Sequence, residues 1–219
     1  MTGHEHREEK RLVAVRGLLE EPLVAVLRTR TPEEAVRAGV AVARGGIHRL
    51  EVTFSVPDAP AVLRELARDT GAVVGAGSIL SVEEGVAALE GGARFLVSPV
   101  LLPELVPLAR EAGAAVVLGG LTPTEILAAR RAGADLVKVF PIDAVAGPLY
   151  LREVLPVLRS VPVMVSGGVD EANVREYLSL GASMAALGDV LTPEDEVARG
   201  DTNSLTERAR RFAALVRHQ

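Results

Sequence analysis

Eight times along this chain a short apolar, β-branched run gives way to a helical pattern, and that beat constrains the fold more than any other feature. LVAVLR (residues 23–28) leads into TPEEAVRAGVAVARGG, where Thr31 can cap a helix and Pro32 can occupy its first turn. RLEVTF (49–54), AVVGAGS (72–78), FLVSP (95–99), AVVLGG (115–120), LVKVFP (136–141), VPVMVSGG (161–168) and SMAALG (183–188) follow, each trailed by a helical stretch. SVEEGVAALEGG opens with capping-box spacing, Ser81 to Glu84. Gly-Ala or Gly-Gly closes many of the helices, as a left-handed C-cap requires. Strands that alternate with helices pair in parallel through right-handed crossovers. Eight such units predict a closed α/β fold, a (β/α)8 TIM barrel with an N-terminal helix. The alternative is an open doubly wound sheet. GAG at 75–77 is too short for the dinucleotide fingerprint GxGxxG, and no acidic ribose partner is placed after it.

No linker or low-complexity segment divides the 219 residues, so one domain over 1–219 is expected, with 1–8 a flexible N-terminus. The tail NSLTERARRFAALVRHQ reads as a closing amphipathic helix. Hydrophobic residues make up 48% of the chain, enough for a large core, while aromatics are only 3%. That scarcity argues against base-stacking nucleic-acid modules, and a net charge of −5 argues against recruitment by a phosphate backbone. With no cysteine, disulfides and thiolate metal sites are excluded. The charged start MTGHEHREEKR is unlike a signal peptide, and no window reaches the ~18 apolar residues of a membrane span. A cytoplasmic protein is expected, without nucleic-acid or membrane partners. His4, His6, His48 and His218 are scattered and match no ligand spacing, so neither a metal nor another cofactor is expected.

Within this pattern one residue is out of place. Lys138 interrupts the apolar run DLVKVFP, and the chain has only one other lysine, Lys10, in a charged stretch that reads as solvated surface. Leu136, Lys138 and Phe140 share a strand face. If that face is the barrel interior, the amine lies near the C-terminal mouth, where barrel enzymes place their sites. Apolar walls favour an uncharged amine, and an uncharged amine attacks carbonyls to give a Schiff base. The bland alternative is a lysine paired with Asp135 or Asp143. Schiff-base chemistry also needs a proton shuttle, and Glu51, in LEVTF on a second strand, is the candidate. Its bland alternative is a structural pairing with an arginine such as Arg28. Thr53 shares the face of Glu51, and with Phe140 it is expected to line the substrate site. Ser78 can hold a carboxylate through its hydroxyl, Pro99 can shape the wall beside the amine, and Arg28 is a candidate anion ligand. Gly167, Gly168 and Gly188 end the last two strands, where barrels often bind anions on backbone amides.

LEVTF, VGAGS, VSP, VKVFP and SGGV, in this order and spacing, resemble the class I KDPG/KHG aldolase family, whose members cleave 2-keto-3-deoxy-6-phosphogluconate or 4-hydroxy-2-oxoglutarate to pyruvate and an aldehyde. The resemblance runs from about Val24 to about Leu191. It implies a homotrimeric (β/α)8 barrel without a metal, acting on keto acids and aldehydes. In it Lys138 matches the Schiff-base lysine and Glu51 the general acid/base. Ser78 stands where the family usually has a threonine that helps bind the pyruvate carboxylate. Pro99 matches the proline lining that pocket, and Gly167 and Gly168 match glycines near the distal phosphate. Two positions depart from the pattern. Ser55 stands where some members carry an arginine, which leaves Arg28 to serve the anion. Gly188-Asp189 replaces the Gly-Ser of phosphate-binding members, which favours hydroxyoxoglutarate or another 2-keto acid over a phosphorylated substrate; the bland reading of Asp189 is a turn cap. Two other functions fit the same barrel. One is a phosphosugar isomerase or epimerase with Glu51 as base. The other is a keto-acid-binding barrel without catalysis.

Overall fold

The computed structural model describes residues 3–158 and 161–217, with side chains from residue 5 onward; His4 and His218 lie outside the described side chains. Eight strands form one closed barrel in sequence order: β1 (Leu23–Leu27), β2 (Arg49–Thr53), β3 (Val73–Gly77), β4 (Phe95–Val97), β5 (Ala115–Gly119), β6 (Leu136–Val139), β7 (Val163–Ser166) and β8 (Met184–Leu187). All neighbours are parallel, and β1 pairs with β8 in the register Leu23↔Ala185, which closes the ring and rules out the open sheet. Each strand lies inside its expected run and stops one or two residues short of the mouth, where the chain turns outward.

Helices α2 (Pro32–Arg44), α3 (Ala59–Thr70), α4 (Val82–Glu90), α5 (Leu105–Ala112), α6 (Pro123–Ala132), α7 (Pro148–Leu158) and α8 (Val174–Ser179) follow the first seven strands. Their starts are written locally. Thr31 and Thr122 close full capping boxes with Glu34 and Glu125. Ser81 accepts from Glu84 N, but the Glu84 carboxylate reaches back to Leu80 N instead, so only half of the expected box forms. After β8 come α9 (Glu194–Arg199) and α10 (Thr202–Val216). The six residues of α9 are too few to show a helical period, so the sequence gives no sign of it.

Strand alternation sorts the core into two compartments. Leu23, Ala25, Leu27, Leu50 and Val52 point outward and pack with the helices. Val24, Val26, Phe95, Val97, Ala115, Val117, Leu136, Met164, Met184 and Ala186 fill the lumen. α1 (Gly3–Leu19) closes the lumen's N-terminal end, inserting Ala14 and Leu18 among those residues. The helix begins at Gly3, so residues 3–8, expected as a flexible N-terminus, form its first turns. Arg11 of α1 pairs with Asp135, whose other oxygen accepts from Val116 N at 2.9 Å. Burial pushes the Asp135 carboxyl above its ordinary value, against the pull of that amide and of Arg11. Arg49 reaches Gly17 O, Glu20 and Glu21, and His48 pairs with Glu21. Charges at this end of the barrel are thus tied into the plug. Among the described residues no helix is long and apolar enough to cross a membrane.

Leu18 is fully buried at the plug. Leu18→Ala is expected to cost about 3 kcal/mol of unfolding free energy in urea titrations, from lost burial and the cavity left behind.

Candidate active site

The other end of the barrel is open. A cavity of about 510 Å³ lies over the C-terminal ends of the strands, walled by residues from β1, β3, β4, β6, β7 and β8 and the loops that follow them. Lys138 projects into it from β6. Glu51 projects inward from β2, on the opposite side of the ring, and lies beneath the cavity floor. Lys138 Nζ stands 3.5 Å from Glu51 Oε1, with the two side chains 8% and 0% exposed. Glu51 Oε2 has no hydrogen-bond partner among the described residues. A buried carboxylate with spare accepting capacity beside a buried amine is costly as structure and well placed to move protons. Neither bland pairing is realised: Asp135 is held by Arg11 at the plugged end, Asp143 packs beside Gly168, and Glu51 faces Lys138 rather than Arg28.

Room for this pair comes from glycine. A Cβ at Gly77 would stand 1.9 Å from Glu51 Oε1, and one at Gly75 would stand 2.4 Å from the Phe95 ring. A Cβ at Gly119 would meet Pro99 O at 2.1 Å. Three inward-facing positions on β3 and β5 therefore carry no side chain, so that Glu51, Phe95 and the Pro99 loop can occupy the lumen. The AVVGAGS run contains this information, but only the register β2–β3, Glu51↔Gly75 and Thr53↔Gly77, reveals it.

Of the expected site residues, Arg28, Ser78, Pro99, Phe140, Gly167, Gly168 and Gly188 all line the cavity with Lys138. The Phe140 ring centroid lies 5.6 Å from Lys138 Nζ, within range of a cation–π contact when the amine is charged. Ser78 holds φ at +58°, a left-handed conformation uncommon for serine, which turns the chain sharply at the mouth. Gly167 and Gly168 have φ of +89° and +65°, and a Cβ at Gly168 would stand 2.5 Å from Asp143 Cβ. These two glycines are thus required by the turn itself, whatever binds over them. Gly188 differs: no atom lies within 4 Å of its missing Cβ, so its bareness leaves open space in the cavity.

Thr53 is not brought to the cavity. It is buried at the β1–β2 seam, where its hydroxyl donates to Leu27 O at 3.2 Å and lies 2.8 Å from Ser55 Oγ. Sharing a face with Glu51 was not enough, because the Thr53 side chain is held at the seam by Leu27 O and Ser55 Oγ. Ser166, by contrast, was missed and lines the cavity beside Lys138. The alternation from Met164 to Ser166 on β7 carries that signal, hidden by the glycine pair that follows it.

A closed barrel with a buried amine facing a carboxylate beneath an open mouth is the arrangement of a barrel enzyme suited to carbonyl chemistry. The chain matches the family model for KDPG and KHG aldolase over residues 15–208. It is 32% identical over 190 residues to the KHG/KDPG aldolase of Escherichia coli K12, covering 86% of this chain and 89% of that one. It is 34% identical over 175 residues to the 2-dehydro-3-deoxy-6-phosphogalactonate aldolase of the same organism, covering 78% and 84%. Its fold superimposes at a TM-score of 0.82 on a KDPG aldolase from Legionella pneumophila with pyruvate captured at low pH as a covalent carbinolamine intermediate, at 25% identity over 90% of this chain and 96% of that one. The chain belongs to the KDPG and KHG aldolase family.

Gly77→Ala tests the geometry directly. The added methyl is expected to push the Glu51 carboxylate off Lys138 and to slow borohydride trapping of pyruvate on Lys138 by about 100-fold, with the far-ultraviolet circular dichroism unchanged.

Proposed function

We propose that this chain is a Schiff-base aldolase, a lyase that reversibly cleaves a substrate of the 2-keto-3-deoxy-6-phosphogluconate or 4-hydroxy-2-oxoglutarate type to pyruvate and an aldehyde. The observation that carries this reading is the 3.5 Å contact between Lys138 Nζ and Glu51 Oε1 under an open cavity. Transfer of the ammonium proton across that contact gives a neutral amine. The amine attacks the C2 carbonyl of the keto acid, and the carbinolamine loses water to form a protonated imine. Glu51 exchanges the protons that these steps need. The imine nitrogen is the electron sink: Glu51 takes the C4 hydroxyl proton, the C3–C4 bond breaks, its electrons flow to nitrogen, and the aldehyde leaves. The enamine takes a proton at C3 and hydrolysis releases pyruvate. Ser78 and Arg28 orient the carboxylate, Pro99 and Phe140 shape the apolar wall, and Gly167, Gly168 and Gly188 leave space for the distal end of the substrate. An isomerase or epimerase would use Glu51 alone, whereas the placement of Glu51 against Lys138 favours covalent chemistry.

Self-association into a homotrimer belongs to the same reading. Leu80, Val82, Val86, Val100 and Leu101, on the stretches after β3 and β4, are exposed large hydrophobics that a second copy would cover. Light scattering is expected to give three times the 23.0 kDa chain mass. A cytoplasmic location is consistent with a chain that has no cysteine.

Pyruvate with borohydride is expected to add one reduced imine to Lys138, located by peptide mass mapping, and Lys138→Met is expected to take up none. Glu51→Gln is expected to lower kcat for retro-aldol cleavage by about 100-fold or more. Unmodified Lys138 in the wild type, with turnover intact after borohydride and pyruvate, would remove the Schiff base from the mechanism.

A further inference from the structure

The cavity wall that follows β8 is held from outside the site. Gly188, Asp189 and Val190 line the cavity, and the chain then runs through residues 191–193 into α9. Gly188 O accepts from Leu191 N at 2.8 Å and from Thr192 N at 3.1 Å, so the near end of this turn is closed on itself. Its far end depends on α9, a helix with little intrinsic stability. Six residues are too few for a helix to persist alone. Pro193 supplies no side-chain cap, and Val197 is the one residue of α9 that is buried. Two of its ion pairs, Arg30 with Glu194 and Arg199 with Asp195, are exposed on both partners, and such pairs contribute little.

The third ion pair is of another kind. Arg208 of α10 donates from Nη1 and Nη2 to the two carboxylate oxygens of Glu196, at 2.8 and 2.7 Å, with both side chains only 18% exposed. A bidentate fork fixes orientation as well as distance. The same Nη1 reaches Leu191 O at 3.4 Å, one residue beyond Val190. One guanidinium therefore grips both α9 and the turn that carries the wall. Its own base is firm. Thr206 Oγ1 of α10 donates to Ala41 O of α2 at 2.9 Å, and Gly45 is bare where a Cβ would stand 2.4 Å from Ala209 Cβ. Arg208 itself does not line the cavity.

On the aldolase reading above, we infer that Arg208 is a positioning residue, which sets the wall formed by Gly188, Asp189 and Val190 through Glu196 and Leu191 O. Lys138 and Glu51 stand on β6 and β2, and Ser78 and Pro99 follow β3 and β4, none of which the clamp touches. Pyruvate is the short half of the substrate and needs only those residues. The aldehyde half extends toward the open space over Gly188. Loosening the clamp therefore weakens the hold on a whole substrate and spares imine formation with pyruvate.

The test follows retro-aldol cleavage of whichever of the two substrate types above the wild type turns over faster. Arg208→Met is expected to raise KM by about 10-fold, with kcat and the rate of borohydride trapping of pyruvate on Lys138 each within about twofold of the wild type. Glu196→Gln, the milder change for folding, is expected to raise KM by about 3-fold. Arg208→Lys keeps the charge without the fork and is expected to fall between the wild type and Arg208→Met. Amide hydrogen exchange over residues 188–192 is expected to quicken by about 10-fold in Arg208→Met, with β2 and β6 unchanged. Arg210→Met, on the exposed face of the same helix, is expected to match the wild type in every readout. A KM unmoved in both Arg208→Met and Glu196→Gln, or pyruvate trapping slowed as much as KM rises, overturns the inference. Pyruvate trapping on wild-type Lys138 separates the two levels. A labelled lysine with an unmoved KM leaves the aldolase standing without this clamp, whereas an unlabelled lysine removes both.

Discussion

The contact between Lys138 and Glu51 spans the barrel, and much of the structure can be read as what makes that contact tolerable. The two residues sit on β6 and β2, strands that share no hydrogen bonds. Only closure of the ring, through the β1–β8 pair, brings their side chains to 3.5 Å. Taking a carboxylate and an ammonium out of water costs several kcal/mol per ion, and well-packed apolar residues in their place are often as stable or more so. A pair with one carboxylate oxygen unbonded is a poor stabiliser. Its value lies in the proton it can pass.

Packing inside the lumen follows from the same pair. Glu51 is long, and it fits because β3 presents Gly75 and Gly77 beside it. Phe95 fills the layer below, over Gly75, and Gly119 lets the Pro99 loop fold across the top of β5. Large and bare positions interlock between neighbouring strands, so a methyl added at one of the bare ones displaces a functional side chain. The lumen is consequently full at its lower layers and hollow at the mouth, which is how a cavity of about 510 Å³ comes to sit over the amine.

Much of this was legible in the sequence, and the parts that were not share a cause. The eight strands, the cap at Thr31 and the inward Lys138 are encoded by period and local chemistry, which a reader meets in order along the chain. An N-terminal helix is expected from the sequence, but its start is not: residues 3–8 lie in its first turns although they read as a flexible end, because the helix is weakly amphipathic and its register is set by what it docks into. Thr53 was expected in the site and Ser166 was not, although both face inward. Alternation assigns a face but not a depth: Thr53 is consumed at a strand seam, and Ser166 stands beside the amine at the mouth. The bare faces of Gly77 and Gly119 acquire meaning only from the atoms across from them, on other strands.

The two ends of β6 show how the barrel divides its labour. Asp135, at the entry to the strand, is buried and fully engaged, by Arg11 of the plug and by Val116 N. Lys138, three residues on, is buried, with Glu51 Oε1 at a long 3.5 Å and the Phe140 ring beside it. Both positions carry a charge that an apolar strand would exclude, yet one is neutralised by partners fixed in the fold and the other is left with capacity to react. The plug packs Ala14 and Leu18 among the lumen residues at the N-terminal end, so the apolar layer lies on the side of the pair away from the mouth. Among the described residues the cavity over the amine opens at the mouth, where Arg28, Ser78 and Asp189 line it.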